Sequence, residues 1–317
     1  MNKVAFIFPG QGAQFVGMGR DFYDNYEVAK QTFEEANDVL GFSISNICFN
    51  GPEEELMLTE NTQPAILTTS IAILRVLQQE GFSCDYTAGL SLGEYAALIN
   101  AESLNFTQSV KLVKNRGIYM QKAVPNGIGR MCAIVGLSME QIEEMIKDSR
   151  DIGLIEVANY NTHEQIVLSG EKKAISSALK KAKEFGARKA LPLLVSAPFH
   201  CSLLAPAGEL LDKDLQTTEL KEPKISFISN VNAEIIKEKD SIKKHLVKQV
   251  SNSVLWRQSV ELMINHGVRT FIEIGPGTTL SNFVKAIAAN NNVDIVSESV
   301  SDLEGLSKVK EIISKYC

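Results

Sequence analysis

The segment Gly89-Leu-Ser-Leu-Gly93 places a serine at the centre of a G-x-S-x-G pattern. It follows a short predicted strand, Asp85 to Ala88, and precedes a predicted helix, Glu94 to Ile99. In a sharp strand-to-helix turn the glycines let the chain pass closely, while the serine is held in a strained backbone conformation. The helix N-terminus directs backbone N–H groups at charge that develops on a substrate oxygen. The bare pattern also fits a plain turn, but the strand–turn–helix context favours Ser91 as a nucleophile.

A serine nucleophile needs a base, and the best-placed histidine is His200. It lies in Ser196-Ala-Pro-Phe-His200, just after a predicted strand at 190–195, where α/β folds place catalytic loops. No acidic residue between Ser91 and His200 ends a strand of the main sheet, so an acidic third member of a triad is not apparent. A backbone carbonyl could orient the imidazole instead. The other histidines lie in a loop elsewhere or in predicted helices: His163, His245 and His266.

Arg116 has the most informative position among the charged residues. In the predicted helix Thr107 to Lys122 it shares one face with Val113 and Met120. One interpretation is a snorkelling or salt-bridged arginine, which is common. The other is an arginine that holds a substrate carboxylate bidentately, because an unpaired buried charge is costly. The spacing alone does not decide between them.

The loop Gly10-Gln-Gly-Ala-Gln14 follows a predicted buried strand, Val4 to Phe8. A dinucleotide-binding G-x-G-x-x-G loop would need glycine where the chain has Phe15, and an acidic residue at the end of a second strand. Neither requirement is met, so this interpretation fails. Gln11 between two glycines instead suits a backbone donor to an oxyanion, paired with the N–H of Leu92.

Strands and helices alternate along the chain, which predicts an α/β fold with a mostly parallel sheet, similar to the hydrolases. Residues 128–197 follow the order β-α-β-β-α-β of a ferredoxin-like unit. This segment includes a predicted helix that starts at Ser138 as N-cap, with Gln141 in the capping-box position. We therefore expect a large catalytic domain, residues 1–127 and 198–317, with an inserted small ferredoxin-like subdomain, residues 128–197.

Composition excludes several classes of function. The 317 residues are 44% hydrophobic and 22% charged, and 32 Lys and Arg against 38 Asp and Glu give a net charge of −6. Such a chain has no global attraction to nucleic acid or anionic lipid, so any anion must be bound locally. No apolar run predicts a signal peptide or a membrane helix, and no H-E-x-x-H or C-x-x-C pattern predicts a metal site. The number of cysteines is odd, which does not suggest a disulfide framework, so a reduced cytoplasmic protein is expected. The five are Cys48, Cys84, Cys132, Cys201 and Cys317.

Six ordered segments stand out along the chain: Phe8-Pro-Gly-Gln-Gly-Ala-Gln14, Thr59-Glu-Asn-Thr-Gln-Pro-Ala65, Gly89-Leu-Ser-Leu-Gly-Glu-Tyr95, Arg116-Gly117 with Met120-Gln121, Ala197-Pro-Phe-His200 and Glu273-Ile-Gly-Pro-Gly277. Together they resemble the malonyl-CoA:acyl carrier protein transacylases, the stand-alone acyltransferases of bacterial fatty-acid and some polyketide synthesis. The resemblance covers nearly the whole chain, and chance does not account for the order and spacing of its motifs. It implies a ping-pong transfer of malonyl from malonyl-CoA to the phosphopantetheine thiol of acyl carrier protein.

The resemblance also implies a role for each site residue. These are the acylated serine Ser91, its base His200, the main-chain carbonyl of Gln249 that orients the base, the oxyanion donors Gln11 and Leu92, and Arg116 for the malonyl carboxylate. If a neutral carbonyl makes the histidine a poorer activator of water than an acid would, Gln249→Glu is expected to raise hydrolysis of the malonyl-enzyme.

One position bears on the acyl group, and two places depart from the family's pattern. In related polyketide acyltransferases phenylalanine before the histidine accompanies malonyl and serine accompanies methylmalonyl, so Phe199 predicts the smaller extender. Leu90 stands where the family commonly has histidine, so the contribution of that side chain to the acyl site is absent or replaced. Asn161-Thr-His-Glu-Gln165 stands where Asn-Ser-Pro-Gly-Gln is usual, at the subdomain edge that would face the cofactor arm.

The expected partners are malonyl-CoA and acyl carrier protein, with no metal and no cofactor beyond the coenzyme A thioester and the carrier's phosphopantetheine. The protein is expected to be a monomer. One alternative is a serine thioesterase or hydrolase of acyl-CoA. A patatin-like lipase would need a catalytic Asp-Gly dipeptide, which the chain lacks. The last alternative is a scaffold without enzymatic activity, in which Ser91 and His200 are incidental.

Overall fold

The computed structural model describes residues 3–125, 127–193, 195 and 197–316. Predictions that involve Asn126, Leu194, Ser196 and Cys317 therefore lie outside the described residues. The described strands are β1 (Lys3–Phe8), β2 (Tyr86–Gly89), β3 (Gly129–Val135), β4 (Ile155–Tyr160), β5 (Gln165–Glu171), β6 (Lys189–Pro192), β7 (Ser226–Ile228), β8 (Ile235–Ile236), β9 (Val268–Ile274) and β10 (Val296–Val300).

The described helices are α1 (Arg20–Asn25), α2 (Glu27–Leu40), α3 (Ile44–Asn50), α4 (Glu53–Leu56), α5 (Thr59–Gln79), α6 (Gly93–Asn100), α7 (Phe106–Ala123), α8 (Met139–Ser149), α9 (Lys172–Glu184), α10 (Ala205–Thr217), α11 (Lys239–Gln249), α12 (Trp256–Asn265), α13 (Thr279–Asn290) and α14 (Leu303–Tyr316). A 3₁₀ turn, Ser202–Leu204, leads into α10.

The first sheet has six strands in the order β10-β9-β1-β2-β7-β8. Its strands run parallel except β8, which pairs antiparallel with β7 at the edge. The central strand β1 is buried from Val4 to Phe8, because helices cover both faces of a parallel sheet and its central strands are therefore apolar throughout. The predicted mostly parallel α/β sheet is confirmed.

The order of the central strands brings three distant loops together. In the parallel pairs, Phe8 at the end of β1 lies beside Gly89 of β2, and Ala88 of β2 lies beside Ile228 of β7. The loops that follow these three strands therefore leave the sheet at the same edge. In open α/β sheets this carboxyl edge is where ligands bind.

The second sheet is fully antiparallel, in the order β4-β5-β3-β6. Helices α8 and α9 contribute Ile142, Met145, Ile175 and Ala178 to an apolar cluster of its own. Helix α8 begins with the predicted capping box, in which Ser138 and Gln141 bond reciprocally. The predicted ferredoxin-like order is confirmed, and all four strands lie within the predicted 128–197 segment. The division between the two parts at those residue numbers stays a prediction.

Three differences from the predicted elements concern strands at the edges of the two sheets. Strand β6 ends at Pro192, before the predicted end at 195. Strand β10 was not predicted because its sequence, Val-Ser-Glu-Ser-Val, is half polar, as an edge strand allows. Strand β8 has only two residues and no sequence pattern of its own. None of the described helices has the length and apolar character needed to cross a bilayer.

Candidate active site

Ser91 lies in the tight connection between β2 and α6. Its φ of +54° is in the left-handed region, which a non-glycine residue occupies only when the surroundings enforce it. A Cβ on Gly89 would lie 1.9 Å from the carbonyl carbon of Gly93, so the turn closes only with glycine there. The structure thus has the strained strand–turn–helix geometry that the G-x-S-x-G pattern predicts, and Ser91 is 8% exposed.

Asn230, in the loop after β7, holds this turn from outside. Its Oδ1 accepts the backbone N–H of Ser91 at 2.7 Å, and its Nδ2 donates to the carbonyl of Gly89 at 2.7 Å. No local sequence pattern marks Asn230, because its contact with Ser91 spans 139 positions along the chain. Since the Ser91 N–H is already bonded, an oxyanion would need other donors.

His200 faces Ser91 directly. The distance from His200 Nε2 to Ser91 Oγ is 2.7 Å, and His200 Nδ1 lies 2.7 Å from the main-chain oxygen of Gln249. A carbonyl oxygen can only accept, so Nδ1 carries the proton and Nε2 presents its lone pair to the serine hydroxyl. Burial, with a further contribution from the Arg116 charge, lowers the pKa of His200 to about 4. The imidazole is therefore neutral near pH 7 and can accept a proton.

The other histidines are engaged elsewhere. His163 Nε2 lies 3.0 Å from a carboxylate oxygen of Glu261, and His266 Nδ1 lies 2.9 Å from the main-chain oxygen of Leu262. His245 lies in α11 and is not among the groups around Ser91. Of the four histidines, the structure brings His200 to the serine.

Arg116 completes the contacts of the serine hydroxyl. From α7 its Nη2 donates to Ser91 Oγ at 3.1 Å and to Gln249 Oε1 at 2.9 Å, while Nη1 donates to Gln63 Oε1 at 2.8 Å. The guanidinium lies over the ring of Tyr95, 5.6 Å from its centroid.

The environment of Arg116 separates the two interpretations of its position. The side chain is 1% exposed, which excludes snorkelling, and the described residues offer it no ion pair within 4.0 Å. Its hydrogen-bond acceptors are all neutral. Burial lowers its pKa, although Tyr95 and then the Glu94 carboxyl beyond Gln249 partly offset this effect. A buried guanidinium without an anionic contact is well suited to bind an acid group of a ligand.

The loop after β1 packs against the serine turn. A Cβ on Gly10 would lie 2.4 Å from the carbonyl oxygen of Leu90, so this close approach requires glycine. It places Gln11 beside the turn, where the Gln11 side chain donates to Thr59 Oγ1 at 3.3 Å. Within the described part of the chain, no protein acceptor takes the backbone N–H of Gln11 or of Leu92.

Phe199 and a nearby cavity border His200. Phe199 is buried in the main apolar core immediately before the histidine. A cavity of about 650 Å³ lies where α8 and β4 face the loop after α11, and His200 is one of its lining residues. Cavities of this size commonly accept small molecules and cofactors. Among the described residues no group of three or more His, Cys, Asp or Glu side chains is placed to hold a metal ion.

A serine held in a strained turn at the carboxyl edge of a parallel sheet, bonded to a neutral histidine, defines a serine enzyme that transfers or hydrolyses acyl groups. The chain belongs to the acyl transferase family, whose domain model matches residues 5–308. It is 44% identical over 305 residues to the malonyl CoA-acyl carrier protein transacylase of Bacillus subtilis (strain 168), covering 96% of this chain and 95% of that protein.

Solved structures agree with this assignment. The malonyl CoA-acyl carrier protein transacylase of Clostridium perfringens ATCC 13124 is 46% identical, with a TM-score of 0.94 over 99% of this chain and 98% of that one. A complex of a type II PKS acyl-carrier protein with its malonyl-transacylase matches at 40% identity, with a TM-score of 0.93 over 96% of this chain and 97% of that one. The chain therefore shares the fold of these transacylases over 97–98% of their length.

Proposed function

We propose that this protein transfers a malonyl group from malonyl-CoA to the phosphopantetheine thiol of acyl carrier protein through a malonyl ester on Ser91. One observation carries the proposal: Ser91 Oγ lies 2.7 Å from the nitrogen of a neutral histidine and 3.1 Å from a buried guanidinium. The nucleophile is thus next to a base and to a cation that can bind the acid end of the acyl group. The names of the relatives, malonyl CoA-acyl carrier protein transacylases, point to the same substrates.

Recognition of the malonyl carboxylate falls to Arg116 in this proposal. A guanidinium has five N–H donors, and three hydrogen bonds to neutral oxygens are made here. Arg116 Nε has no hydrogen-bond partner among the described residues. A substrate carboxylate would take the place of a neutral acceptor on this guanidinium and supply the anion that the buried charge lacks.

Acylation then proceeds with each proton accounted for. Ser91 Oγ bonds to the thioester carbonyl carbon while its proton passes to His200 Nε2, and the N–H groups of Gln11 and Leu92 hold the oxyanion. One such donor typically contributes about 3–4 kcal/mol. As the C–S bond breaks, His200 returns the proton to the sulfur and coenzyme A leaves as the thiol. The carrier's thiol reverses these steps, giving its proton to His200 and taking the malonyl group from Ser91.

The neighbourhood of His200 supports the choice of acyl group and the path of the thiol. Phe199, buried immediately before the base, would fill the space that an α-methyl group needs, and so favour malonyl over methylmalonyl. The 650 Å³ cavity that reaches His200 is the proposed route for the pantetheine arms. Leu90, where relatives commonly have histidine, packs on Gly10 and so supports the oxyanion loop with apolar contact.

The cofactor requirement, cellular location and oligomeric state belong to the same proposal. The enzyme needs no resident cofactor or metal, since the thioester is the substrate and the carrier brings its own phosphopantetheine. We place it in the cytoplasm of the cell as a monomer, serving fatty-acid or polyketide synthesis. The described cysteines are free thiols, which suits a reducing compartment: Cys48, Cys84, Cys132 and Cys201.

The decisive experiment is intact-protein and peptide mass spectrometry after mixing with malonyl-CoA. A stable malonyl adduct on Ser91, which holo carrier protein then removes, is the expected result. Ser91→Ala should give no adduct, while Ser176→Ala, on the exposed side of α9, should still give one. Steady hydrolysis of malonyl-CoA without an acceptor would instead identify a thioesterase, and no reaction at all would identify a scaffold.

A further inference from the structure

Glu94 is a fully buried acid one turn after the nucleophile, and the mechanism above does not use it. Its two carboxylate oxygens have different partners. Oε1 accepts the backbone N–H of Asn230 at 2.9 Å, and Oε2 accepts the side-chain Nε2 of Gln249. Both partners are donors, so this geometry requires acceptors at both oxygens of residue 94.

The Gln249 side chain is confined to one orientation by its own neighbours. Its Nε2 also donates to the carbonyl of Ser91 at 2.9 Å, and its Oε1 accepts from Arg116 Nη2 at 2.9 Å. A carbonyl can only accept and a guanidinium can only donate, so a flipped amide would oppose like with like on both sides. Glu94 therefore fixes the amide nitrogen of Gln249, and the amide oxygen of Gln249 in turn accepts a hydrogen bond from Arg116.

We propose that Glu94 is a positioning residue that acts through the Gln249 amide to set the position of the Arg116 guanidinium, and so determines the preference for a carboxylated acyl group. This inference rests on the proposed function, because it concerns the residue that would bind the malonyl carboxylate. His200 is held by the main-chain oxygen of Gln249, which the side-chain contact with Glu94 does not involve. Glu94 should therefore affect which acyl group is accepted more than the serine–histidine chemistry.

Glutamine at position 94 tests the acceptor requirement with an isosteric side chain. It offers one oxygen to two donors, so its NH₂ group must face either Asn230 or Gln249. The Asn230 donor belongs to the backbone and cannot turn away, whereas the Gln249 side chain can rotate. We expect the Gln249 amide to move and Arg116 to lose its fixed partner.

The experiment measures single-turnover acylation of Ser91 by malonyl-CoA and by acetyl-CoA, which lacks the carboxylate. Glu94→Gln should lower the ratio of the two rate constants about tenfold or more, the usual effect of losing a hydrogen bond to a charged group. Gln249→Ala, which keeps the main-chain carbonyl, should lower the ratio similarly. In the double variant the two effects should not add, because Glu94 acts through Gln249.

Glu273→Gln is the matched control. Glu273 is also fully buried and accepts two N–H groups, those of Leu280 and Ser281, but it lies outside the serine site. It should leave the malonyl-to-acetyl ratio unchanged, even where thermal stability falls.

The outcomes separate this inference from the proposed function. Equal loss of both reactions in Glu94→Gln, or additive effects in the double variant, would overturn the role of Glu94 while leaving malonyl transfer by the unaltered protein intact. Failure of the unaltered protein to form a malonyl ester on Ser91 would overturn the proposed function itself.

Discussion

Replacing Arg116 by alanine should remove the preference for malonyl-CoA. The guanidinium is 1% exposed, and its hydrogen-bond acceptors among the described residues are neutral, so a substrate carboxylate would be its closest anion. Truncating one partner of a buried, hydrogen-bonded charge pair costs about 2–5 kcal/mol. This cost corresponds to a loss of roughly 30- to 4,000-fold in kcat/KM for malonyl-CoA. Acetyl-CoA has no carboxylate to lose, so its reaction should be retained or improved.

The assay is single-turnover acylation of Ser91 with both thioesters, followed by mass spectrometry. Thermal unfolding should accompany it, because the variant leaves the side-chain oxygens of Gln63 and Gln249 without their donor. Arg75→Ala is the matched control: this arginine on α5 bonds Thr32 and Glu35, away from the serine. Equal loss of malonyl and acetyl transfer by Arg116→Ala in a folded protein would show that the arginine is structural and refute the assignment.

Three further predictions follow from the same contacts. Because the pKa of His200 is lowered from 6.5 to about 4 by burial and then by Arg116, acylation by acetyl-CoA in pH-jump experiments should stay constant from pH 8 to about 5; an acid limb near 6.5 would contradict this. Burial raises the pKa of Glu94 from 4.5 to about 7, so its contribution to stability is full below 4.5 and is lost as the pH rises through 7. Between pH 5 and 8 the free energy of unfolding should therefore fall by roughly 2–3 kcal/mol more in the unaltered protein than in Glu94→Gln, as measured by urea denaturation; equal slopes would refute it. Gln249→Glu should raise the KM for malonyl-CoA, because its carboxylate would lie at the 2.9 Å contact with Arg116; an unchanged KM would show that this contact does not limit binding.

The expected effect of Gln249→Glu differs from the one that the sequence suggested. From the sequence, this change is predicted to raise hydrolysis of the malonyl-enzyme, because an acid would then support the base. In the structure His200 is held by the main-chain oxygen of residue 249, while the side chain points to Arg116 and Glu94. Substituting the side chain therefore changes the contact with Arg116 and leaves the contact that orients His200 in place. The rate of hydrolysis of the malonyl-enzyme should not change.

The local parts of the fold could be predicted because their patterns are local. A continuous apolar run marks β1, alternating elements mark the parallel sheet, and Ser138 with Gln141 marks the start of α8. The strained turn at Ser91 was equally predictable, since glycine at 89 and 93 is a direct requirement of its geometry.

The network behind the serine could not be predicted in this way. Asn230 meets Ser91 only because β7 lies beside β2 in the sheet, and this strand order is a property of the whole fold. Glu94 stands inside the recognised Gly89–Tyr95 motif, but a glutamate at a helix start is ordinarily explained by the helix dipole. Its hydrogen-bond partners, Asn230 and Gln249, lie 136 and 155 positions further along the chain, and no local periodicity predicts such contacts.

His200 is oriented by a neutral group, the main-chain oxygen of Gln249, and the nearby charge of Arg116 explains why. Ser91 Oγ is bonded to both His200 and Arg116, so the base and the arginine belong to one buried network. An acid in place of the Gln249 carbonyl would bring a permanent anion into that network and give Arg116 a partner of its own. The arginine would then gain little from a substrate carboxylate, and the pKa of His200 would rise. A main-chain carbonyl orients the imidazole without adding charge, so the guanidinium remains available for the carboxylate of the proposed malonyl substrate.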